Sequence, residues 1–131
     1  MGCRRQHGYL KLTAKNLRLK IMYYVKKTFE VAGAHRLELD YPSKCTQLHG
    51  HNWQITIYCR ARELNTNGMV VDFADIKHRI ADRLDHQMVN DVIGCNPTAE
   101  NMARWCCEQI PNCYRVDVQE TAGNVATYEI E

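Results

Sequence analysis

The longest regular pattern in the chain is an alternation of apolar and polar residues from His49 to Ala61. Successive side chains of a β-strand point to opposite faces of a sheet, so this period of two predicts a long strand buried on one face. A weaker alternation from Tyr23 to His35 predicts a preceding strand, and Tyr41-Pro42-Ser43 predicts a turn between them. The two strands should therefore pair antiparallel.

Two stretches with apolar residues at helical spacing follow these strands. The first begins after Asp72, a residue type favoured at helix N-caps, and the second opens at Asn96-Pro97-Thr98 and stops before Pro111. Their predicted buried stripes are Phe73, Ile76, Ile80 and Leu84 in the first helix, and Met102, Trp105 or Cys106, and Ile110 in the second.

Two short alternating stretches close the chain. One contains Val116 and Val118 and ends at Glu120, and the other runs from Val125 to Ile130. The resulting β-β-α-α-β-β order predicts an α+β fold, in which an antiparallel four-stranded sheet carries both helices on one face. The edges of so small a sheet are uncovered, and edge-to-edge association into a closed oligomer would cover them.

Composition and charge narrow the class of protein. With 131 residues and 45% apolar side chains, the chain fits one domain, and its apolar runs are far too short to span a membrane. Residues 1–27 hold eight basic side chains and no acidic one, whereas the remainder is acidic. We expect 1–21 to form a basic, poorly ordered extension and 22–131 a single folded domain. A nucleic-acid-binding module is the alternative, but an acidic body argues against phosphate binding.

Seven cysteines are present, an odd number without the paired spacing of a disulfide framework or a cysteine-rich zinc ribbon. A reducing, cytoplasmic location is therefore expected. No stretch resembles a secretory signal, because Lys and Arg interrupt the apolar residues that follow the basic start.

Three histidines form the strongest chemical signal. His49 and His51 lie two residues apart on a predicted strand, so both imidazoles project to the same face. His35 ends the neighbouring strand on its apolar face. Three imidazoles without a fourth protein ligand form the open arrangement of a catalytic zinc site, although iron or manganese would also fit. A chance cluster at the end of an apolar face is the simpler alternative.

Cys45 precedes His49 by four residues and lies in the loop that leads into the histidine-bearing strand. A nearby divalent cation would lower the pKa of its thiol and make Cys45 a base or nucleophile. Alternatively, Cys45 is a fourth metal ligand, which would make the site structural.

Two further positions carry candidate chemistry. Asp85 and His86 lie at the end of the first helix, where a break in helical geometry would let the carboxylate orient the imidazole for proton transfer. A histidine favoured by the helix dipole is the alternative. Glu120 shares a strand face with core residues, where it would need a ligand with two parallel N–H groups, such as a guanidinium or a 2-amino-4-oxopyrimidine; otherwise it is solvated.

Taken in order, these motifs resemble the 6-pyruvoyltetrahydropterin synthase and 6-carboxytetrahydropterin synthase superfamily over residues 23 to 131. The matching segments are 34–37 (AHRL), 45–52 (CTQLHGHN), 68–73 (GMVVDF), 84–86 (LDH), 96–100 (NPTAE) and 120–121 (ET). The resemblance implies a tunnelling fold whose subunits trimerise into a barrel and stack as a hexamer, with active sites between subunits.

The resemblance also implies roles for individual residues. The implied metal ligands, which hold one Zn²⁺ per subunit, are His35, His49 and His51; the implied catalytic residues are Cys45, Asp85 and His86; and the implied substrate-binding residues are Glu120, Thr98 and Glu100. The implied substrate is a small-molecule pterin triphosphate, and the implied partner is the chain itself, with no nucleic acid and no membrane.

Spacing indicates a branch within the superfamily. The Cys-x-x-x-His-Gly-His spacing that begins at Cys45 resembles the bacterial enzymes that form 6-carboxytetrahydropterin for queuosine synthesis. A longer Cys-to-His spacing would instead resemble the animal enzymes that form 6-pyruvoyltetrahydropterin. These enzymes remain the alternative. Two departures are that Val31-Ala32-Gly33-Ala34 replaces the usual residues before the first histidine, and that residues 1–21 match nothing in the family core.

Overall fold

The structure, a computed structural model, describes residues 19–131. The predicted basic extension lies largely outside the described residues. Within the described part of the chain, no helix is both long enough and apolar enough to cross a membrane.

The two long strands have the predicted bounds. Strand β1 (Tyr23–His35) pairs antiparallel with β2 (His49–Ala61) along its full length, so that His35 lies opposite His49 and Val31 opposite Trp53. Burial of one face of β2 permits only one register, because a shift by one residue would expose the core side chains. The pairing fixes the two histidine-bearing ends side by side.

The sheet has five strands, so the prediction of four strands was wrong. The additional strand, β3 (Gln87–Met88), is two residues long and pairs parallel with Gly33 and Ala34 of β1. Strands β4 (Cys113–Thr121) and β5 (Asn124–Glu129) pair antiparallel, and the sheet order is β3-β1-β2-β4-β5. A strand as short as β3 has no period from which it could be predicted.

The first helix, α1, is built from three consecutive segments. These are an α-helical turn at Phe73–Ile76, a π-helical stretch at Lys77–Ala81 and a last turn at Asp82–Leu84. Asp72 caps α1, since its carboxylate accepts a hydrogen bond from the backbone N–H of Ala74. In a regular α-helix, with about 3.6 residues per turn, each residue is rotated slightly around the axis from the residue four positions before it, and the wider π turn offsets this rotation. Ile76, Ile80 and Leu84 of α1, which are four residues apart, therefore stay on the buried face.

The predicted stripe of α1 is correct for three residues and wrong for one. Ile76, Ile80 and Leu84 are fully buried, whereas the Phe73 side chain is 48% exposed. Phe73 is the first helical residue, and it lies outside the sheet-facing side, beside an apolar groove of about 270 Å³ that Met69 and Tyr23 also line.

Two more helices complete the layer. A short helix that was not predicted, α2 (Val89–Ile93), ends at Gly94, which has a φ of +72°. The predicted second helix is α3 (Ala99–Gln109), capped by Thr98, whose hydroxyl accepts from the N–H of Asn101. Residues of α1 and α3 pack into a single core against one face of the sheet. The prediction that both helices lie on one face is confirmed.

Candidate metal centre and active site

The three histidines lie at one end of the sheet, on the face that carries the core. His35 is fully buried, and the rings of His49 and His51 lie 4.5 and 5.1 Å from its ring, centroid to centroid. One ring nitrogen from each histidine lies within 4.8 Å of the other two, and this is the only such group of metal-ligating atoms within residues 19–131. The ring of Trp53 packs against the His35 ring and separates the cluster from the core.

Backbone carbonyls fix the orientation of two of these rings. The Nδ1 atom of His35 lies 2.9 Å from the carbonyl oxygen of Pro97, and Nδ1 of His49 lies 2.7 Å from that of Gln47. A carbonyl oxygen only accepts hydrogen bonds, so each Nδ1 carries the proton. In the neutral rings, the Nε2 lone pairs therefore point to the centre of the cluster.

The inward nitrogens are arranged for a shared cation. Nε2 of His35 lies 3.0 Å from Nε2 of His49, and the buried Nε2 of His51 has no hydrogen-bond partner. Two lone pairs at this separation repel each other unless a positive charge lies between them. Imidazole nitrogens suit Zn²⁺, and an outward N–H held by a carbonyl is the usual support for a metal-bound histidine. The residues present therefore fit a three-histidine metal site.

Burial lowers the pKa of His35, even though the Pro97 carbonyl and the Glu120 carboxylate both act to raise it. The neighbouring His49 and His51 also act to lower it. Since only the neutral imidazole binds a metal, the environment of His35 favours the form that is needed.

Glu120 faces the histidine cluster from β4. Its Oε1 lies 3.6 Å from Nε2 of His35 and 3.9 Å from Nε2 of His51, and its side chain is 28% exposed. Glu120 is thus neither fully buried nor freely solvated, which are the two alternatives that the sequence left open. Its carboxylate is placed to meet a ligand that also approaches the histidines.

Asp85 and His86 form the contact that a break in the helix allows. Helix α1 ends at Leu84, Asp85 is extended, and His86 has a φ of +59°. Nδ1 of His86 lies 3.0 Å from Oδ2 of Asp85, while Oδ1 of Asp85 accepts from the N–H of Ala32 at 2.9 Å. The hydrogen bond from Ala32, followed by that from His86, lowers the pKa of Asp85 and keeps it ionised. The pair is a carboxylate-oriented imidazole on the surface.

Cys45 lies in a 3-10 turn at Lys44–Thr46, and Ser43 caps this turn by accepting from the N–H of Cys45. The carbonyl of Cys45 accepts a hydrogen bond from the N–H of Leu37 at 2.8 Å. The thiol is not among the atoms that converge with the three histidines. Thr98 and Glu100 lie at the start of α3, and Thr98 directly follows the residue whose carbonyl orients His35.

Sequence reasoning missed two shallow cavities beside β1. They have volumes of about 320 and 360 Å³ and share Ala32 and Gly33 as lining residues; His51 also lines the first, and His86 lines the second. A Cβ on Gly33 would come within 3.0 Å of the Gln87 carbonyl oxygen and 3.3 Å of the Trp53 ring. The absence of a side chain at Gly33 therefore allows β3 to approach β1 closely. The only sign of this approach in the sequence is an isolated glycine within a strand pattern.

Two proteins with assigned names are similar to this chain in sequence. A Pyrococcus horikoshii protein provisionally named a 6-carboxy-5,6,7,8-tetrahydropterin synthase is 35% identical over 75 residues, which are 54% of this chain and 46% of that protein. The Bacillus subtilis 6-carboxy-5,6,7,8-tetrahydropterin synthase is 24% identical over 123 residues, 81% of this chain and 84% of that protein. The match thus spans less than half of the archaeal relative and most of the bacterial one.

A solved structure extends the similarity to the fold. The Caenorhabditis elegans 6-pyruvoyl tetrahydropterin synthase superposes with a TM-score of 0.67 at 25% identity, covering 85% of this chain and 97% of that one. The sequence profile described as 6-pyruvoyl tetrahydropterin synthase matches residues 24–131, which include every candidate site residue. The chain belongs to the 6-pyruvoyl tetrahydropterin synthase family.

Proposed function

We propose that the protein is a carbon–carbon lyase that converts 7,8-dihydroneopterin triphosphate to 6-carboxy-5,6,7,8-tetrahydropterin, for queuosine synthesis. Acetaldehyde and triphosphate are released, and atom balance requires one water. The observation that carries the proposal is the convergence of three imidazole Nε2 atoms beside the carboxylate of Glu120. This arrangement offers a metal site and an acceptor for paired N–H groups on one side of the sheet.

Glu120 would bind the pterin ring. Its two oxygens can accept two parallel N–H groups of the aminopyrimidinone, and such charge-assisted pairs orient a planar ligand. Thr98 and Glu100, at the start of α3, are further substrate-binding candidates. The ring would thereby be fixed close to His35 and His51.

His35, His49 and His51 would hold one Zn²⁺ ion per subunit. When bound, the ion would supply Lewis-acid polarisation of the oxygen atoms on the substrate side chain. Cys45 would take a proton from that side chain as the general base. This role is compatible with a thiol that lies outside the converging ligand atoms.

Asp85 and His86 would handle protons at a second position. The ionised carboxylate fixes which ring nitrogen of His86 carries a proton, and the other nitrogen is left to exchange a proton with substrate.

Self-association would complete the site. A second copy of the chain is the proposed partner, in a trimer or hexamer, and family membership supports this. Exposed apolar side chains also lie along one groove: Tyr23, Tyr24, Leu64, Met69 and Phe73. Light scattering on the purified protein should then give a mass of three or six chains, and a monomer would contradict it.

The second candidate is 6-pyruvoyltetrahydropterin formation, because the Caenorhabditis elegans structure with the same fold carries that name. Both reactions release triphosphate, but only the proposed one also releases acetaldehyde. Zinc-loaded protein should therefore be incubated with dihydroneopterin triphosphate and both acetaldehyde and triphosphate measured. Equal amounts of the two support the proposal. Triphosphate without acetaldehyde supports the second candidate. If neither triphosphate nor acetaldehyde forms, both candidate reactions are excluded. A His35→Ala protein purified in parallel controls for contaminating enzymes.

A further inference from the structure

Three side chains form hydrogen bonds, in place of a neighbouring strand, with one edge of β1 and of the segment that follows it. The N–H of Ala32 donates to Asp85 Oδ1, and the carbonyl of Ala32 accepts from the N–H of His86. Ala34 then pairs with the two-residue strand β3. Beyond β3 the chain turns into α2, so backbone pairing stops while the edge of the segment after β1 still needs partners.

Two asparagines take up this pairing. The side-chain amide of Asn90 accepts from the N–H of Arg36 at 3.0 Å and donates to the carbonyl of Arg36 at 2.9 Å. The amide of Asn96 makes the same two hydrogen bonds with Glu38, both at 2.9 Å. An asparagine side chain has the donor and acceptor of a peptide group, so each one replaces a strand residue. We call Asn90 and Asn96 the asparagine clamp.

The clamp is linked to a metal ligand through the next residue. The carbonyl of Asn96 accepts from Asn101 Nδ2 and from the N–H of Thr98, which fixes the start of α3. Between these residues, the carbonyl of Pro97 accepts from Nδ1 of His35. The position of Asn96 therefore determines where the group that orients His35 lies.

The same segment is linked to Cys45 on its other edge. The N–H of Leu37, between the two clamped residues, donates to the carbonyl of Cys45 at 2.8 Å. Residues 36–38 thus lie between the clamp and the turn that carries the thiol. A shift of this segment would move both the His35 support and Cys45.

We infer that Asn90 and Asn96 are positioning residues for the active site: their amides hold residues 36–38 against the start of α3 and so fix the His35 ring and Cys45 relative to each other. This inference rests on the proposed function, in which both groups act on one substrate. Asn96 has the larger effect because Pro97 follows it directly.

The test is metal binding by Asn96→Ala, measured without substrate. Loss of the group that contacts a metal-bound histidine weakens metal affinity by about 10- to 100-fold. Asn96→Ala displaces that group, the Pro97 carbonyl, without removing it, so we expect zinc affinity to fall by up to about 10-fold in competition with a chelating dye, together with a changed visible absorption spectrum of the Co²⁺-substituted protein. Asn90→Ala should show a smaller effect in the same direction.

Asn65→Ala is the matched control. The side chain of Asn65 also accepts two backbone N–H bonds, from Asn67 and Met69, but it lies in the loop after the opposite end of β2. It should lose thermal stability as the clamp variants do and keep wild-type zinc affinity and Co²⁺ spectrum. If Asn96→Ala matches this control in both metal readouts, the inference is wrong.

An isosteric variant covers the case in which Asn96→Ala does not fold. Asn96→Asp keeps the acceptor for the Glu38 N–H but places an oxygen against the Glu38 carbonyl. We expect weaker zinc affinity and a shifted Co²⁺ spectrum, and wild-type values in both Asn96→Asp and Asn90→Ala would overturn the inference. Wild-type protein that binds zinc but does not turn over pterin would contradict the proposed function. The inference that Asn90 and Asn96 position His35 would still be tested by the zinc affinities of their variants.

Discussion

Two clusters of metal-capable side chains lie on the same face of the sheet, near opposite ends of β2. The histidine cluster consists of His35, His49 and His51. The cysteine cluster consists of Cys59, Cys106, Cys107 and Cys113, in which Cys59 pairs with Cys113 across the strands. Both contain atoms that zinc binds in proteins, yet their surroundings differ.

The cysteine cluster has the properties of a protein core. Burial raises the pKa of Cys106 far above its ordinary value and that of Cys107 to about 12. A hydrogen bond to Cys59 raises the pKa of Cys113 and lowers that of Cys59. The protonated thiol is thus the favoured form of three of these four cysteines, as expected for cysteines in an apolar core. Cys59 and Cys106 are fully buried, and the predicted burial of Cys106 in the second helix is confirmed.

The histidine cluster differs in what its outer atoms contact. Its Nδ1 protons are directed to carbonyls at 2.7 and 2.9 Å, so the unprotonated nitrogens face each other. The comparison teaches that metal-binding residue types do not by themselves make a metal site. Within residues 19–131, only the histidine cluster brings its ligand atoms within reach of one ion. Backbone carbonyls hold the Nδ1 protons of two of its rings outward, so that their unprotonated nitrogens face inward.

The largest effect should come from His49→Ala. We expect bound zinc to fall from one per chain to near zero, because two protein ligands seldom retain the ion, and activity should be lost with it. Metal content by mass spectrometry of purified protein is the measurement. The control is His78→Ala, because His78 is an exposed histidine of α1 that is hydrogen-bonded to Asp82. This variant should keep its full zinc content. Equal zinc content in the two variants would show that the histidine cluster is not the metal site.

Cys45→Ala tests whether the thiol belongs to catalysis or to metal binding. We expect zinc content and pterin affinity near wild type and a turnover rate lower by about 10² to 10⁴, the usual contribution of a general base. Steady-state kinetics and metal analysis measure both. The exposed Cys95 offers a control in Cys95→Ala, which should turn over normally. A zinc-free, unfolded Cys45→Ala protein would mean that Cys45 is a structural ligand.

Glu120→Gln separates substrate binding from metal binding at the histidine cluster. A hydrogen bond from substrate to a carboxylate is worth about 1.5–3 kcal/mol, so KM should rise by about 10- to 100-fold while zinc affinity stays unchanged. Glu108→Gln, on the exposed side of α3, is the control. A loss of zinc affinity instead would assign Glu120 to the metal.

The smallest effect concerns the cysteine cluster at alkaline pH. Above about pH 8.5 the unfolded chain releases thiol protons that the folded protein keeps, so the unfolded state binds fewer protons. The free energy of unfolding should therefore fall as pH rises from about 8.5 towards 12, and these thiols should not affect it below about pH 8.5. Urea titrations should show a shallower fall for Cys107→Ala, whereas Cys95→Ala should match wild type.

The sequence predicted β1 and β2 well because a long alternation buried on one face leaves a single register. It could not predict β3 or α2, since these short elements depend on the chain reversal at His86 and on pairing with β1. Phe73 was misplaced because helical spacing alone does not show which first-turn residue the π stretch leaves outside.

The candidate site was predictable only in its side chains. His-x-His spacing on a strand placed His49 and His51 on one face, and the end of the preceding strand placed His35 opposite them. The groups that orient these rings are the carbonyls of Gln47 and Pro97, which any residue would supply and which therefore leave no signal in the sequence. The catalytic roles of Cys45, Asp85 and His86 and the substrate-binding roles of Glu120, Thr98 and Glu100 stay predictions.

The continuous register of β1 and β2 also limits how the gene can change in length. One codon inserted between His51 and Trp53 would turn either the histidines or the core residues to the wrong face. Two inserted codons would restore the face but displace His49 from His35 by about 7 Å. Insertions and deletions can therefore accumulate in residues 39–43 and 62–68 but not within β2, so alignments of relatives should be anchored on this strand.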